Sequence, residues 1–296
     1  MAYPEITVMR NNPDLGCMAC VVPDVIYSRA LEGGLPMTLI LPWHDKNAEE
    51  IIKRPLIVFV QGSGWTHPNI YKQIPQLSRY AQAGYAVATL VHRNAAEGHS
   101  FPAYLEDTKT AIRFLRAHAD EYGIDTEHVC IFGTSSGGNT SMLIALTGDD
   151  PRFKTQEYAE YSDAVTCCVE CFGPSDLIGM LPGQYIDRMH DPALDNTPFI
   201  APFRGLVGDH DTRQVLHDMS PVNYISTCGN MPPMLIVQGD ADDIVPYEQG
   251  KLMYEKMYDA GATVKMIRVE NAPHEGSFWS EELHREILKF INRHIK

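Results

Sequence analysis

Short apolar runs rich in β-branched residues recur along the chain at 56–60, 85–91, 129–132, 164–172, 234–237 and 263–269. They are nearly continuous rather than alternating, as strands covered on both faces are, and amphipathic stretches separate them. This rhythm predicts an α/β protein with a mostly parallel central sheet and helices on both faces. Two further runs, 21–28 and 37–41, flank Gly33-Gly34 and predict an antiparallel entry hairpin.

The helical segments carry their own punctuation. Pro102 opens a stretch in which Tyr104, Thr108, Ala111, Ile112, Leu115 and Ala119 recur at helical spacing, and Gly123 closes it. A helix of about five turns follows from that spacing. Leu283, Ile287, Phe290, Ile291 and Ile295 form one apolar stripe on a last helix, which leaves His284 and His294 for solvent. From 177 to 227 the rhythm breaks: there are five prolines and no clean strand or long helix. Phe199, Phe203, Leu206 and Val207 need burial there, so the segment reads as a small cap-like insertion over the sheet rather than a linker.

At 296 residues, 44% hydrophobic and 21% charged, the composition is that of an ordinary globular protein, and residues 1–296 read as a single domain. The formal net charge of −14 excludes the basic surfaces that nucleic acid and anionic membranes reward, leaving a small neutral molecule as the expected partner and a homo-oligomer open. No window approaches a membrane span, and residues 1–14 are polar without an apolar core, from which a cytoplasmic location is expected. The seven cysteines are odd in number and irregular in spacing. Cys17 with Cys20 and Cys168 with Cys171 have zinc-like spacing, but the second pair lies in a strand whose alternate side chains face opposite ways. They read as buried thiols, and neither metal nor cofactor is expected. The acidic and histidine side chains of Asp209, His210, Asp211, His217 and Asp218 read as a solvated loop.

Gly133-Thr134-Ser135-Ser136-Gly137 directly follows the run 129–132 and leads into Gly138-Asn139-Thr140-Ser141-Met142-Leu143-Ile144, which reads as a helix. Strand, sharp turn and helix make this G-x-S-x-G match a nucleophile elbow with Ser135 at its tip. Side chains at 133 and 137 would collide with the neighbouring strand and helix. The N–H of Ser136, at the start of the helix, suits an oxyanion, while the Ser136 side chain is expected to point elsewhere.

A serine nucleophile needs a base and an orienting carboxylate, which follow in the order Ser, acid, His in this arrangement. Asp240, Asp242 and Asp243 crowd the loop after 234–237. His274 lies in the loop after 263–269, the only one of twelve histidines between that run and the last helix. Gln61-Gly62-Ser63-Gly64-Trp65 follows 56–60, and small residues there let backbone N–H groups, those of Ser63 and Gly64, approach the oxyanion.

Together these segments resemble the hormone-sensitive-lipase-like and feruloyl-esterase-like carboxylesterases, a group that includes acetyl-xylan-esterase-like members. Residues 61–65 are similar to their H-G-G-G-W segment, 133–138 to G-x-S-x-G-G, and 239–246 to G-x-x-D-x-x-V-P, which places the acid on Asp242. The resemblance spans about residues 20–296, and Gln61 stands where the family has histidine. It implies the α/β-hydrolase fold and a serine carboxylesterase acting through an acyl-enzyme on a small-molecule ester. Short acyl, acetyl or hydroxycinnamoyl esters, including those of plant carbohydrates, are the implied substrates. Trp65, with the aromatic residues Tyr185, Phe199 and Phe203, is expected to wall the substrate pocket, and Asp176 to anchor the start of the insertion. Amide hydrolysis on the same fold and an inactive hydrolase-like binding protein remain the alternatives.

Overall fold

Leu56, Val58 and Val60 join one hydrophobic core while Ile57 and Phe59, between them, join another. This alternation sets the architecture: a central sheet whose strands are apolar on both faces must be sandwiched between helices. The computed structural model describes residues 6–13, 15–44, 52–191, 193, 200–225 and 230–295, so Phe199 and Cys228 lie outside the described residues.

Eight strands form the sheet: β1 (Ala19–Ser28), β2 (Leu35–Pro42), β3 (Arg54–Val60), β4 (Ala86–Leu90), β5 (Ile124–Thr134), β6 (Cys167–Cys171), β7 (Met234–Gly239) and β8 (Val264–Val269). Their spatial order is β1-β2-β4-β3-β5-β6-β7-β8. The β1–β2 and β2–β4 pairs are antiparallel and all later pairs parallel, so the entry hairpin sits at one edge of a parallel sheet. The run 164–172 gives a strand only at its centre, because the Ala164 carbonyl accepts from Arg116 and Phe172 turns to φ 45°. Cys168 packs into one core and Cys171 into the other, so the two thiols face opposite sides.

Ten helices are described: α1 (Ile74–Gln82), α2 (Ala103–Ala117), α3 (Ala119–Tyr122), α4 (Ser136–Leu146), α5 (Leu177–Met180), α6 (Gly183–Ile186), α7 (Ala201–Val207), α8 (Thr212–Asp218), α9 (Tyr247–Asp259) and α10 (Glu281–His294). Helices α2, α4 and α9 cover one face of the sheet, α1 and α10 the other. Four short helices, α5 to α8, fill the stretch between β6 and β7. Asp176 accepts the Gly179 N–H and thereby caps α5.

Two expectations need correction. The single helix expected to run to Gly123 is broken at His118, whose imidazole stacks on Phe114 at 4.1 Å and whose Nδ1 lies 2.9 Å from the Phe114 carbonyl. A side chain that engages the last turn ends α2, and α3 restarts from there. His284 is buried rather than solvated. It lies between the Trp279 ring, parallel at 5.1 Å, and the Tyr80 hydroxyl, 3.1 Å from Nδ1, and burial lowers its pKa to about 4.

One buried charge cluster ties the helical layer to the loops below it. Lys109 Nζ lies 2.7 Å from Asp163 Oδ1 and 2.5 Å from the Thr147 carbonyl, and Arg113 Nη1 lies 2.8 Å from Asp163 Oδ2. All three side chains are fully buried. Asp163→Ala strands two cations without their carboxylate, so it is expected to destabilise the protein by about 3–5 kcal/mol, read as a lowered urea midpoint at unchanged slope.

Candidate active site

The turn after β5 holds Ser135 at φ 52° and ψ −125°, a backbone conformation costly for any residue with a Cβ. It persists because its surroundings leave no alternative. A Cβ on Gly133 would stand 2.0 Å from the Gly137 carbonyl oxygen, and one on Gly137 would stand 2.0 Å from that of Val60. The elbow is thus pressed between β3 and α4. The Ser135 N–H is held by the Cys171 carbonyl at 2.9 Å, which pins the turn to β6.

The two loops at the ends of β7 and β8 reach Ser135 together. His274 Nε2 lies 3.0 Å from Ser135 Oγ, and His274 Nδ1 lies 2.8 Å from Asp242 Oδ2. A neutral imidazole that donates from Nδ1 to the carboxylate presents Nε2 as acceptor for the serine hydroxyl. The Asp242 side chain is fully buried and well supplied with donors: Oδ1 accepts the Ile244 and Val245 N–H groups, each at 2.9 Å, and Oδ2 also accepts from Gln238 Nε2 at 3.1 Å. Asp240 instead accepts the Asn271 N–H, and both Asp240 and Asp243 are exposed. The edge of the Phe172 ring meets the imidazole at 4.6 Å. Gln238 and Phe172 went unrecognised in the sequence, where the only signal was a polar residue closing an apolar strand and an aromatic residue beside it.

The loop after β3 is stitched to the elbow by the hydroxyl groups on either side of Ser135. Thr134 Oγ1 accepts the Gly62 N–H at 3.0 Å, and Ser136 Oγ accepts the Ser63 N–H at 2.9 Å. The Ser136 side chain points to this loop rather than to His274, and one expectation is corrected: the Ser63 N–H is engaged by the Ser136 hydroxyl. The N–H groups of Gly64 and Ser136 have no protein acceptor among the described residues.

A cavity of about 380 Å³ opens onto these groups, lined by Gly64, Trp65, Ser135, Ser136 and apolar side chains including Met180, Phe203 and Val245. Trp65 packs against Phe203 at 5.5 Å between ring centres. Tyr185 is not among the lining residues; it packs against the core. A larger groove of about 570 Å³ passes His67, Tyr71 and His92 and contains none of Ser135, Asp242 and His274. Among the described residues no group of three or more His, Cys, Asp or Glu side chains could hold a metal ion, and no helix is long and apolar enough to cross a membrane.

Eight strands in this order, with a serine at a strained turn between β5 and α4, define the α/β-hydrolase fold. The chain belongs to the BD-FAE family, whose model matches residues 44–257. It is similar to Esterase LipC of Mycobacterium tuberculosis, 29% identical over 234 residues that make up 77% of this chain and 54% of LipC. The probable carboxylic ester hydrolase LipM of the same organism is 31% identical over 214 residues, 71% of this chain and 46% of LipM. The chain thus spans about half the length of these curated relatives. A solved truncated form of a carbohydrate esterase from gut microbiota matches it with a TM-score of 0.74 at 25% identity, covering 96% of this chain and 98% of that one.

Behind the elbow lies an acid that the sequence reading passed over. Glu170, on β6, is fully buried; its Oε2 accepts the Gly173 N–H at 2.9 Å and its Oε1 has no hydrogen-bond partner among the described residues. Burial pushes its pKa up to about 8, against the smaller opposing effect of the Gly173 N–H. A carboxyl whose folded pKa exceeds its unfolded one contributes stability that is complete below the ordinary glutamate range and lost as pH rises through the folded value. Glu170→Gln removes this dependence, so the melting temperature of the variant minus that of the wild type is expected to increase between pH 6 and pH 9. A difference that stays constant across that range would show that Glu170 does not hold its proton.

Proposed function

We propose that this protein is a serine ester hydrolase that works through an acyl-enzyme. The observation that carries this reading is the unbroken chain from Asp242 Oδ2 to His274 at 2.8 Å and from His274 to Ser135 Oγ at 3.0 Å, at the mouth of an apolar cavity. Ser135 Oγ attacks the ester carbonyl carbon while its proton passes to His274 Nε2; Asp242 holds the imidazole and stabilises the imidazolium. The carbonyl oxygen becomes an oxyanion facing the Gly64 and Ser136 N–H groups. Collapse expels the alcohol, which takes the proton from His274, and water then repeats the sequence on the acyl-enzyme to release the acid.

The mainly apolar lining suits the acyl part, and Trp65 packed on Phe203 forms part of its wall, which favours compact or planar acids: acetyl, other short acyl, or hydroxycinnamoyl. Met180, Pro202 and Phe203 bring residues 177–227 to the cavity wall, which supports reading that segment as a small cap within one hydrolase domain. The names of LipC and LipM, an esterase and a probable carboxylic ester hydrolase, support ester over amide chemistry, and the carbohydrate esterase neighbour supports an ester of a sugar.

Ser135→Ala is expected to lower kcat by about 10⁴- to 10⁶-fold with the fold intact, and Asp242→Asn by up to about 10⁴-fold, whereas Asp240→Asn and Asp243→Asn stay within about tenfold of wild type. Steady-state hydrolysis of p-nitrophenyl acetate reads all four; an active Ser135→Ala protein refutes the assignment. Across a p-nitrophenyl series, kcat/KM is expected to fall from acetyl to butyryl and to vanish for long chains, because a lengthening chain must eventually displace packed side chains. Efficient turnover of chains of about twelve carbons would instead mark a lipase-like site.

A further inference from the structure

Resting on that reading, we propose that the side-chain hydroxyl of Ser136 is itself an oxyanion donor, standing where the Ser63 N–H would otherwise act. The Ser63 N–H donates to Ser136 Oγ at 2.9 Å, so it is directed at the hydroxyl rather than at the substrate. Ser136 lines the cavity and Ser63 does not. The hydroxyl thus joins the loop's amide to a residue of the cavity wall.

The direction of the Ser136 proton follows from where it has no acceptor. Later hydroxyls of the same helix bond back one turn: Thr140 to the Ser136 carbonyl at 2.9 Å, Ser141 to that of Gly137 at 2.8 Å and Thr147 to that of Leu143 at 2.6 Å. Ser136 is the first residue of α4, and the residue four before it, Phe132, belongs to β5. No helical carbonyl is within its reach. Its Oγ accepts from Ser63, its hydrogen has no protein acceptor among the described residues, and the residue is only 3% exposed. A buried hydroxyl in that state gains most from an acceptor that develops negative charge. Accepting from Ser63 polarises the hydroxyl and strengthens its own donation, so the amide acts through it. Gly64 N–H, Ser136 N–H and Ser136 Oγ–H then form a three-donor cradle. Ser136 cannot replace Ser135 as nucleophile, since the base His274 is directed at Ser135 Oγ.

The test compares wild type and Ser136→Ala with p-nitrophenyl acetate and with a short-chain trifluoromethyl ketone, whose adduct on Ser135 carries an oxyanion. Removing one such donor typically costs about 10²-fold or more; the Ser63 N–H released by the substitution compensates in part, so kcat is expected to fall about 10- to 100-fold with KM within about threefold. Ketone affinity should weaken by a similar factor. The ratio of ketone affinity to KM is the readout that a role in folding alone would not move, and unchanged thermal unfolding of the variant accompanies the expected result. An active wild type whose Ser136→Ala variant keeps both kcat and ketone affinity, or loses only in KM, overturns this proposal and leaves the esterase reading standing. A wild type without ester turnover overturns both.

Discussion

The backbone of Ser135 is the constraint on which the rest of the site depends. A residue with a side chain at φ 52° relaxes unless every neighbour forbids it, and here the neighbours are main-chain atoms rather than adaptable side chains. Gly133 against Gly137, and Gly137 against Val60, bring the backbones of β5, α4 and β3 too close for a Cβ at this one turn. The same approach places the first N–H groups of α4, and the loop that follows β3, beside the serine. The serine, the first N–H groups of α4 and the loop after β3 are thus positioned by a single packing event.

Polar burial does the remaining positioning. The Asp242 carboxylate is fixed by two backbone N–H groups and Gln238 before it meets His274, so the imidazole is oriented by a rigid partner. Thr134 and Ser136 bind the loop at Gly62 and Ser63 from either side of the nucleophile. Glu170, whose pKa burial raises, is tied to the turn after β6 through the Gly173 N–H.

The strands and the elbow were legible in the sequence because their causes are local: apolar runs buried on both faces, and glycines where a Cβ has no room. His274 was legible from its place between a strand and the last helix. Choosing Asp242 over Asp240 and Asp243 needed family resemblance, since the distinction lies in which carboxylate turns inward onto Gln238 and His274. Where the Ser136 hydroxyl points was not legible, because its direction depends on a loop more than seventy residues earlier in the chain. The burial of His284 and the helix break at His118 were missed for a related reason. Each is decided by an aromatic neighbour, Trp279 or Phe114, whose ring position helical periodicity does not encode.

The sheet order also has a kinetic side. Ser135 follows a central strand, whereas His274 follows β8, which has a neighbour on one side only and is the less protected strand of its pair. Local opening at a sheet edge needs less free energy than global unfolding. Fraying of β8 would move His274 away from Ser135 while leaving the elbow, the cavity and most of the core in place. The anchoring of this margin, through α9 and the loops that join β7 and β8, therefore bears on how long His274 keeps its place beside Ser135 when the molecule is warmed.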